Sequence, residues 1–288
     1  MALTITDPKA LSTDKLAAYL RRLGIEQDAA AFAQSIGFEP DPWQAKLLRS
    51  KSKRRILNCS RQVGKSSVTA IAVLHKALFT PDSMIVLISP TEDQSAELFR
   101  KMRDALKQLP EDLMPKLFED NSLSCEFENG SRIVARPGSE KSSRGFSGVT
   151  MLVADEASRI PDPLYFAILP MLMAVDGELW VLSTPFGKRG FFYEEFEHGE
   201  GWDRYRVPAS QCPRFNPETL QQMRRSMGAR FFEQEFNCEF VDLEDSVFST
   251  ELINSAFDDT IKPLFGEGVV SPVLDEMPTL ELPKFGED

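Results

Sequence analysis

Histidine is almost missing from this chain: His75 and His198 are the only two in 288 residues. A reaction or metal centre built on imidazoles has little to draw on, and both are expected at the surface. Cysteine is nearly as scarce. Cys59, Cys125, Cys212 and Cys238 show no C-x-x-C spacing, which speaks against a zinc frame or a disulfide scaffold and for reduced, cytosolic thiols. No run of about 18 apolar residues occurs, so no membrane span is expected. The start, "MALTITDPKALSTDK", lacks the basic and apolar stretches of a secretory signal.

An excess of basic charge is missing too. The net charge of −11 argues at first sight against a nucleic-acid partner. Its distribution removes that objection. From Glu239 onward there are 13 acidic and 2 basic residues, whereas the preceding 238 residues carry 31 of each sign. The body is neutral and free to carry basic patches. The acidic tail, 241–288, is rich in Pro and Gly and is expected to hold little regular structure.

Along the body, apolar runs alternate with amphipathic stretches. "RRILNC", "SMIVLISP", "VTMLVADEAS" and "GELWVLSTP" are continuous enough to be strands covered on both faces. "SSVTAIAVLHKALF" and "TEDQSAELFRKMRDALKQL" have helical length and spacing, the second with Thr91 as cap. "CEFENGSRIVARP" alternates about Asn129-Gly130, a hairpin signal. "PDPLYFAILPMLMA" reads as a helix interrupted at Pro170, and "FNPETLQQMRRSMGARFFEQEFNCEF" as mostly helical. This order predicts an α/β fold of the P-loop NTPase, RecA/ASCE-like kind: a parallel sheet covered by helices, a small helical subdomain and a flexible acidic C-terminal tail. The expected division is an N-terminal helical segment, 1–36, an ATPase domain with the small subdomain, 37–240, and the tail, 241–288.

Four motifs carry chemistry. "NCSRQVGKSSVTA" follows a strand, opens a helix and ends in the Gly64-Lys65-Ser66 of a phosphate loop, G-x-x-x-x-G-K-[ST]. Cys59 stands where the first glycine is usual. Backbone amides of Ser60, Gln62, Val63, Gly64, Lys65, Ser66 and Ser67 would surround phosphates at the helix N-terminus. Lys65 would reach the β- and γ-phosphates, and the Ser66 hydroxyl would hold Mg²⁺. Asp155 and Glu156 end an apolar strand. The first is placed as a metal residue, the second as the general base that activates water. Ser183-Thr184 end the next strand, which would lie beside the first two, and could couple loss of the γ-phosphate to a subdomain movement. In "DPWQAKLL", Gln44 offers a donor and an acceptor for adenine, and Trp43 a ring to stack on it. The bland alternative is an exposed amide beside a core tryptophan.

Together "DPWQAKLL", "CSRQVGKSS", "ISPTEDQSAELF", "SSRGFSGVTMLVADEAS" and "LSTPFGKRG" resemble the ATPase domain of the large terminase subunit of tailed bacteriophages, over roughly residues 36–250. The later "FFEQEFNCEFVDLEDSVF" resembles the segment closing that domain. The family's loop commonly reads S-R-Q-x-G-K-[ST], as Ser60 to Ser66 does, so the missing glycine and the inserted arginine are family features. The resemblance implies an ATPase that drives double-stranded DNA into a prohead in the host cytoplasm. It implies ATP and Mg²⁺ as cofactors, Arg61 near the phosphates and Arg144 as a finger given to a neighbouring subunit. Implied partners are copies of the chain in a ring, a pentamer on a portal protein, with a small terminase subunit; the family's nuclease is either truncated here, a separate nuclease encoded elsewhere, or replaced by a tail adapted for another partner. No nuclease activity is expected of this chain. Asp242, Glu244, Asp245, Asp258 and Asp259 are followed by too little sequence for an RNase H-type sheet.

A superfamily-2 helicase is the first alternative, because "ISPTEDQSAELF" also resembles its post-loop segment. No second strand–helix series follows Thr184 to supply the second lobe. A scaffold protein with a degenerate nucleotide site is the other, against which Lys65, Ser66, Asp155 and Glu156 all stand intact. For DNA the basic candidates are Lys188-Arg189, preferred, then Lys51, Lys53, Arg54 and Arg55, and Arg224-Arg225. Contacts would be to phosphates and sequence-independent.

Overall fold

The structure is a computed structural model that describes residues 13–138 and 145–242. Eight strands form one sheet: β1 (Arg54–Cys59), β2 (Met84–Ser89), β3 (Leu117–Asp120), β4 (Ser124–Phe127), β5 (Arg132–Pro137), β6 (Val149–Asp155), β7 (Glu178–Ser183) and β8 (Asp203–Val207). Their order is β3-β4-β5-β2-β6-β7-β1-β8. Every pairing from β5 to β8 is parallel, and the β3-β4-β5 edge is antiparallel. The Asn129-Gly130 hairpin therefore extends one edge of the sheet, with Gly130 at φ +81° in the turn.

Alternate strand residues feed two cores, as the two-residue period of a strand requires. Leu57, Leu87, Val153 and Leu182 face one cluster, which takes in Phe32, Leu47, Val68, Leu74, Leu98 and Phe99. Their chain neighbours Ile56, Val86, Leu152 and Val181 face the other, with Tyr165, Ile168, Phe191 and Phe192. The first face is covered by α1 (Thr13–Gln27), α2 (Ala29–Ser35), α3 (Pro42–Arg49), α4 (Lys65–Phe79) and α5 (Glu92–Leu106). On the second lie α6 (Asp162–Ile168), continued by a 3₁₀ turn at Leu169–Leu172 as Pro170 dictates, and α7 (Gly190–Glu197). The remaining pair is α8 (Pro217–Met227) and α9 (Ala229–Asn237).

Three elements depart from the sequence expectation. β8 escapes notice because charged residues interrupt its edge-strand run, Asp203-Arg-Tyr-Arg-Val207, and only Tyr205 and Val207 are buried. β3 is largely exposed, and α7 hides in an aromatic run. His75 is not a surface residue either. It is half-buried among Phe32 and Phe79, its Nε2 is 3.0 Å from the carbonyl of Ile25, and burial holds its pKa below the ordinary histidine value. The four cysteines are free and buried; burial pushes the Cys125 and Cys238 thiols up to about 12. Among the described residues no helix is long and apolar enough to cross a membrane. The tail from 243 onward lies outside the described residues.

Candidate nucleotide site

The phosphate loop lies between β1 and α4. Cys59 is still in the strand: it pairs with Val207, and the Ser60 amide donates to the Val207 carbonyl at 2.9 Å. That is why no glycine is required there. The chain turns later, where Gln62 and Gly64 take φ of +59° and +89°. Gly64 is held to glycine twice over, because a Cβ would also stand 2.8 Å from Gln44 Nε2. Ser60 and Val63 are buried, while Gln62 is exposed. Ser67 sits one turn into α4 and lines a different hollow, with Phe38, Ile71 and Lys101.

β7 separates the loop strand β1 from the acid strand β6, and the loop and the acids meet across that gap. Lys65 Nζ donates to Glu156 Oε1 at 2.6 Å. Ser66 Oγ lies 3.4 Å from Asp155 Oδ2, and the Glu156 amide donates to Asp155 Oδ1 at 2.9 Å. Glu156 adopts φ +52° at the end of its strand, an uncommon conformation for a residue with a side chain. Burial disfavours the Lys65 charge, but the Asp155 and Glu156 carboxylates outweigh it and raise the lysine pKa. Burial also raises the Asp155 pKa, against the pull of Lys65. The hydroxyl of Ser66 and the carboxylate of Asp155 are hard oxygen donors that fit Mg²⁺. Among the described residues no group of three or more His, Cys, Asp or Glu is gathered for a metal, so such an ion would depend on phosphate oxygens as well.

Gln44 braces the loop. It is buried; its Oε1 accepts from the Asp41 amide at 2.8 Å, and its Nε2 lies 3.5 Å from the carbonyls of Val63 and Gly64. Trp43 packs against the core and its indole N–H has no partner among the described residues. Arg214, which belongs to no sequence motif, completes this brace. Its guanidinium donates to Asp41 Oδ1 and to the Val63 carbonyl, both at 3.0 Å. Arg61 forms an ion pair with Glu235 of α9, and its amide donates to the Glu235 carbonyl at 3.1 Å. That side-chain hydrogen bond, with the Glu235 and Glu156 charges, outweighs partial burial and raises its pKa. Arg144 lies outside the described residues.

Ser183 and Thr184 are buried at the end of β7 and bound to the acid turn. The Ser183 and Ser158 hydroxyls are 2.8 Å apart, and Ser158 Oγ donates to the Thr184 carbonyl at 2.9 Å. Of the basic candidates, Lys188 pairs with Asp242 at 3.4 Å, Arg224 with Glu233 at 3.2 Å, and Lys53 with Asp176. Arg55 is buried against Glu178 at 2.6 Å. Lys51, Arg54, Arg189 and Arg225 are exposed. Glu244, Asp245, Asp258 and Asp259 lie outside the described residues.

A phosphate loop whose lysine meets the acids of a second parallel strand, with a third strand between, is the arrangement of P-loop nucleotide-hydrolase folds. The family model described as "Terminase large subunit, T4likevirus-type, N-terminal" matches residues 56–255, and the chain belongs to that family. A relative, the terminase large subunit of Thermus virus P23-45, is 28% identical over 254 residues, 76% of this chain and 52% of its own. The chain thus spans about half the length of the curated relatives it matches. The large terminase ATPase domain of Thermus phage P74-26 superimposes with a TM-score of 0.65 at 23% identity, over 75% of this chain and 99% of that one. A large terminase of a thermophilic bacteriophage, solved with ADP, gives a TM-score of 0.55 at 13% identity, over 77% of this chain and 53% of that one.

Proposed function

We propose that the chain hydrolyses ATP to drive double-stranded DNA, as one subunit of a ring of copies on a portal. The observation that carries this is the contact of Lys65 with Glu156, beside Ser66 with Asp155. Residues about 90 apart in sequence bring a phosphate ligand, a metal ligand and a base to one place. Lys65 and the first amides of α4 bind the triphosphate. Mg²⁺ would rest on Ser66 and Asp155 and neutralise charge on the phosphates. The triphosphate competes with Glu156 for the lysine. A Glu156 released from that pair accepts the proton of the attacking water. Arg61 exchanges Glu235 for the phosphate charge that develops.

The base is assigned to a hollow of about 380 Å³ beside the loop, where Arg61 and Gln62 face Phe215, Leu220, Met223 and Phe236. An apolar lining with a few polar groups suits a purine. Gln44 supports the loop from behind through Asp41 and the Val63 and Gly64 carbonyls. The link from Ser158 to Ser183 and Thr184 passes a change at Glu156 to β7.

The test is steady-state ATP hydrolysis against protein concentration, with and without linear duplex DNA. Hydrolysis that rises more than in proportion to protein and responds to DNA is expected, and would come from a site completed by a neighbour. Strict proportionality with no response to DNA would remove the motor reading and leave an isolated nucleotidase.

A further inference from the structure

Phe186, in the loop after β7, is flanked by two arginines. The Arg159 guanidinium lies 4.0 Å from the ring centroid and that of Arg189 5.6 Å. Both side chains are exposed and the ring is half-buried. Neither arginine has a carboxylate partner among the described residues, whereas the intervening Lys188 does. Two like charges gathered on one ring repel each other, and a ring neutralises neither. Packed beside the ring and exposed, the guanidiniums keep fork-shaped N–H donors of the kind that suit a phosphate oxygen pair. The ring is engaged by these cations, so the cluster presents charge rather than a platform for stacking bases.

Its place in the fold adds a second reason. Arg159 closes the 3₁₀ turn Ala157–Arg159 that starts directly after Glu156. Phe186 and Arg189 follow Ser183 and Thr184. The two segments are joined by Ser158, whose hydroxyl meets both Ser183 Oγ and the Thr184 carbonyl. The paired cations therefore flank a side-chain hydrogen-bonded link between the acid turn and the end of β7.

We propose that Arg159 and Arg189, held by Phe186, grip the phosphate backbone of duplex DNA and tie that grip to the acid turn through Ser158. This rests on the DNA-motor reading above and adds Arg159 and Phe186 to it, while Lys188 serves Asp242.

The experiment is equilibrium binding of a short linear duplex across a salt series. Wild type, Arg159→Gln, Arg189→Gln, the double variant and Phe186→Leu are compared, with ATP affinity measured separately without DNA. Each lost phosphate contact lowers the slope of log K against log salt by about 0.9. The double variant should lose about twice that, Phe186→Leu less, and ATP affinity should stay within about twofold. Arg159→Lys, which keeps the charge but not the fork, should retain the slope and bind more weakly. An unchanged slope in the double variant overturns this inference and leaves the motor reading standing. Loss of ATP affinity with the DNA slope intact also overturns it, by assigning the pair to the nucleotide. A wild type with no salt-dependent duplex binding overturns both.

Discussion

At the amino ends of β1 and β7, Arg55 donates to Glu178 at 2.6 Å and to the Ser50 carbonyl at 2.6 Å, and lies 4.6 Å from the Trp180 ring. Lys76 donates to the other Glu178 oxygen at 2.8 Å. At the carboxyl ends of the same sheet, Lys65 shares Glu156, Arg61 shares Glu235, and Arg159 and Arg189 share only a ring. The residue types are the same, but their circumstances differ. At the amino end one carboxylate is held by two cations at once, Arg55 of β1 and Lys76 of α4, so neither can leave without stranding a charge. At the carboxyl end, on the proposed function, Lys65 and Arg61 each hold one carboxylate that an incoming phosphate would replace, and Arg159 and Arg189 have none among the described residues. Charge closed on itself is structural, and charge with an exchangeable partner is available for work.

Substitutions at the two ends should therefore separate rate from stability. The largest effect is expected for Lys65→Ala: hydrolysis falling by about 10³-fold or more, some 4 kcal/mol of barrier, with the melting temperature nearly unchanged. Parallel kinetics and thermal melts check it. A large fall in melting temperature would merge the two ends into one structural network. Next comes Glu178→Gln, expected to cost about 1–3 kcal/mol of stability in denaturant titration, with the ATPase rate of the folded protein kept.

Its pH signature sharpens the same contrast. Burial opposes the Glu178 charge, but Lys76 and Arg55 outweigh it and hold the carboxyl below its ordinary 4.5. The stability this supplies is complete above pH 4.5 and is lost as pH falls through the depressed value. Stability curves of wild type and Glu178→Gln should converge in that acid window. A constant gap down to low pH would mean the pair is not what holds the amino end. The smallest effect is Arg214→Ala. Freeing Asp41 and the Val63 carbonyl should loosen the loop and raise the KM for ATP about tenfold, with kcat less affected. A pure kcat loss would instead make Arg214 a transition-state contact.

How much of this was legible in the sequence depends on contact range. β1, β2, β6 and β7 announce themselves because both faces are buried, and β7 lies between the loop and acid strands as their motif order required. Lys65, Ser66, Asp155 and Glu156 are legible because each belongs to a short motif whose spacing is dictated by chemistry. Arg214 is not, for it reaches the loop from 151 residues away with no local pattern to mark it, and Glu235, though inside a quoted segment, pairs with Arg61 across 174 residues that no local pattern links. Gln44 is the opposite case. Its motif is visible, but burial turned both ends of its amide inward, which only packing decides. Phe186 lies within a visible motif, but its two guanidinium neighbours come from different loops, and only the fold brings Arg159 to it.

On the proposed function, Lys65 and Glu156 form one hydrolytic site with separable duties. The most direct measurement is single-turnover hydrolysis of Mg-ATP by wild type and Glu156→Gln, beside equilibrium ATP binding by both. Binding within a few-fold in the two proteins, with hydrolysis slowed about 10²- to 10⁴-fold in the variant, is the predicted result. Equal hydrolysis by both proteins would contradict it.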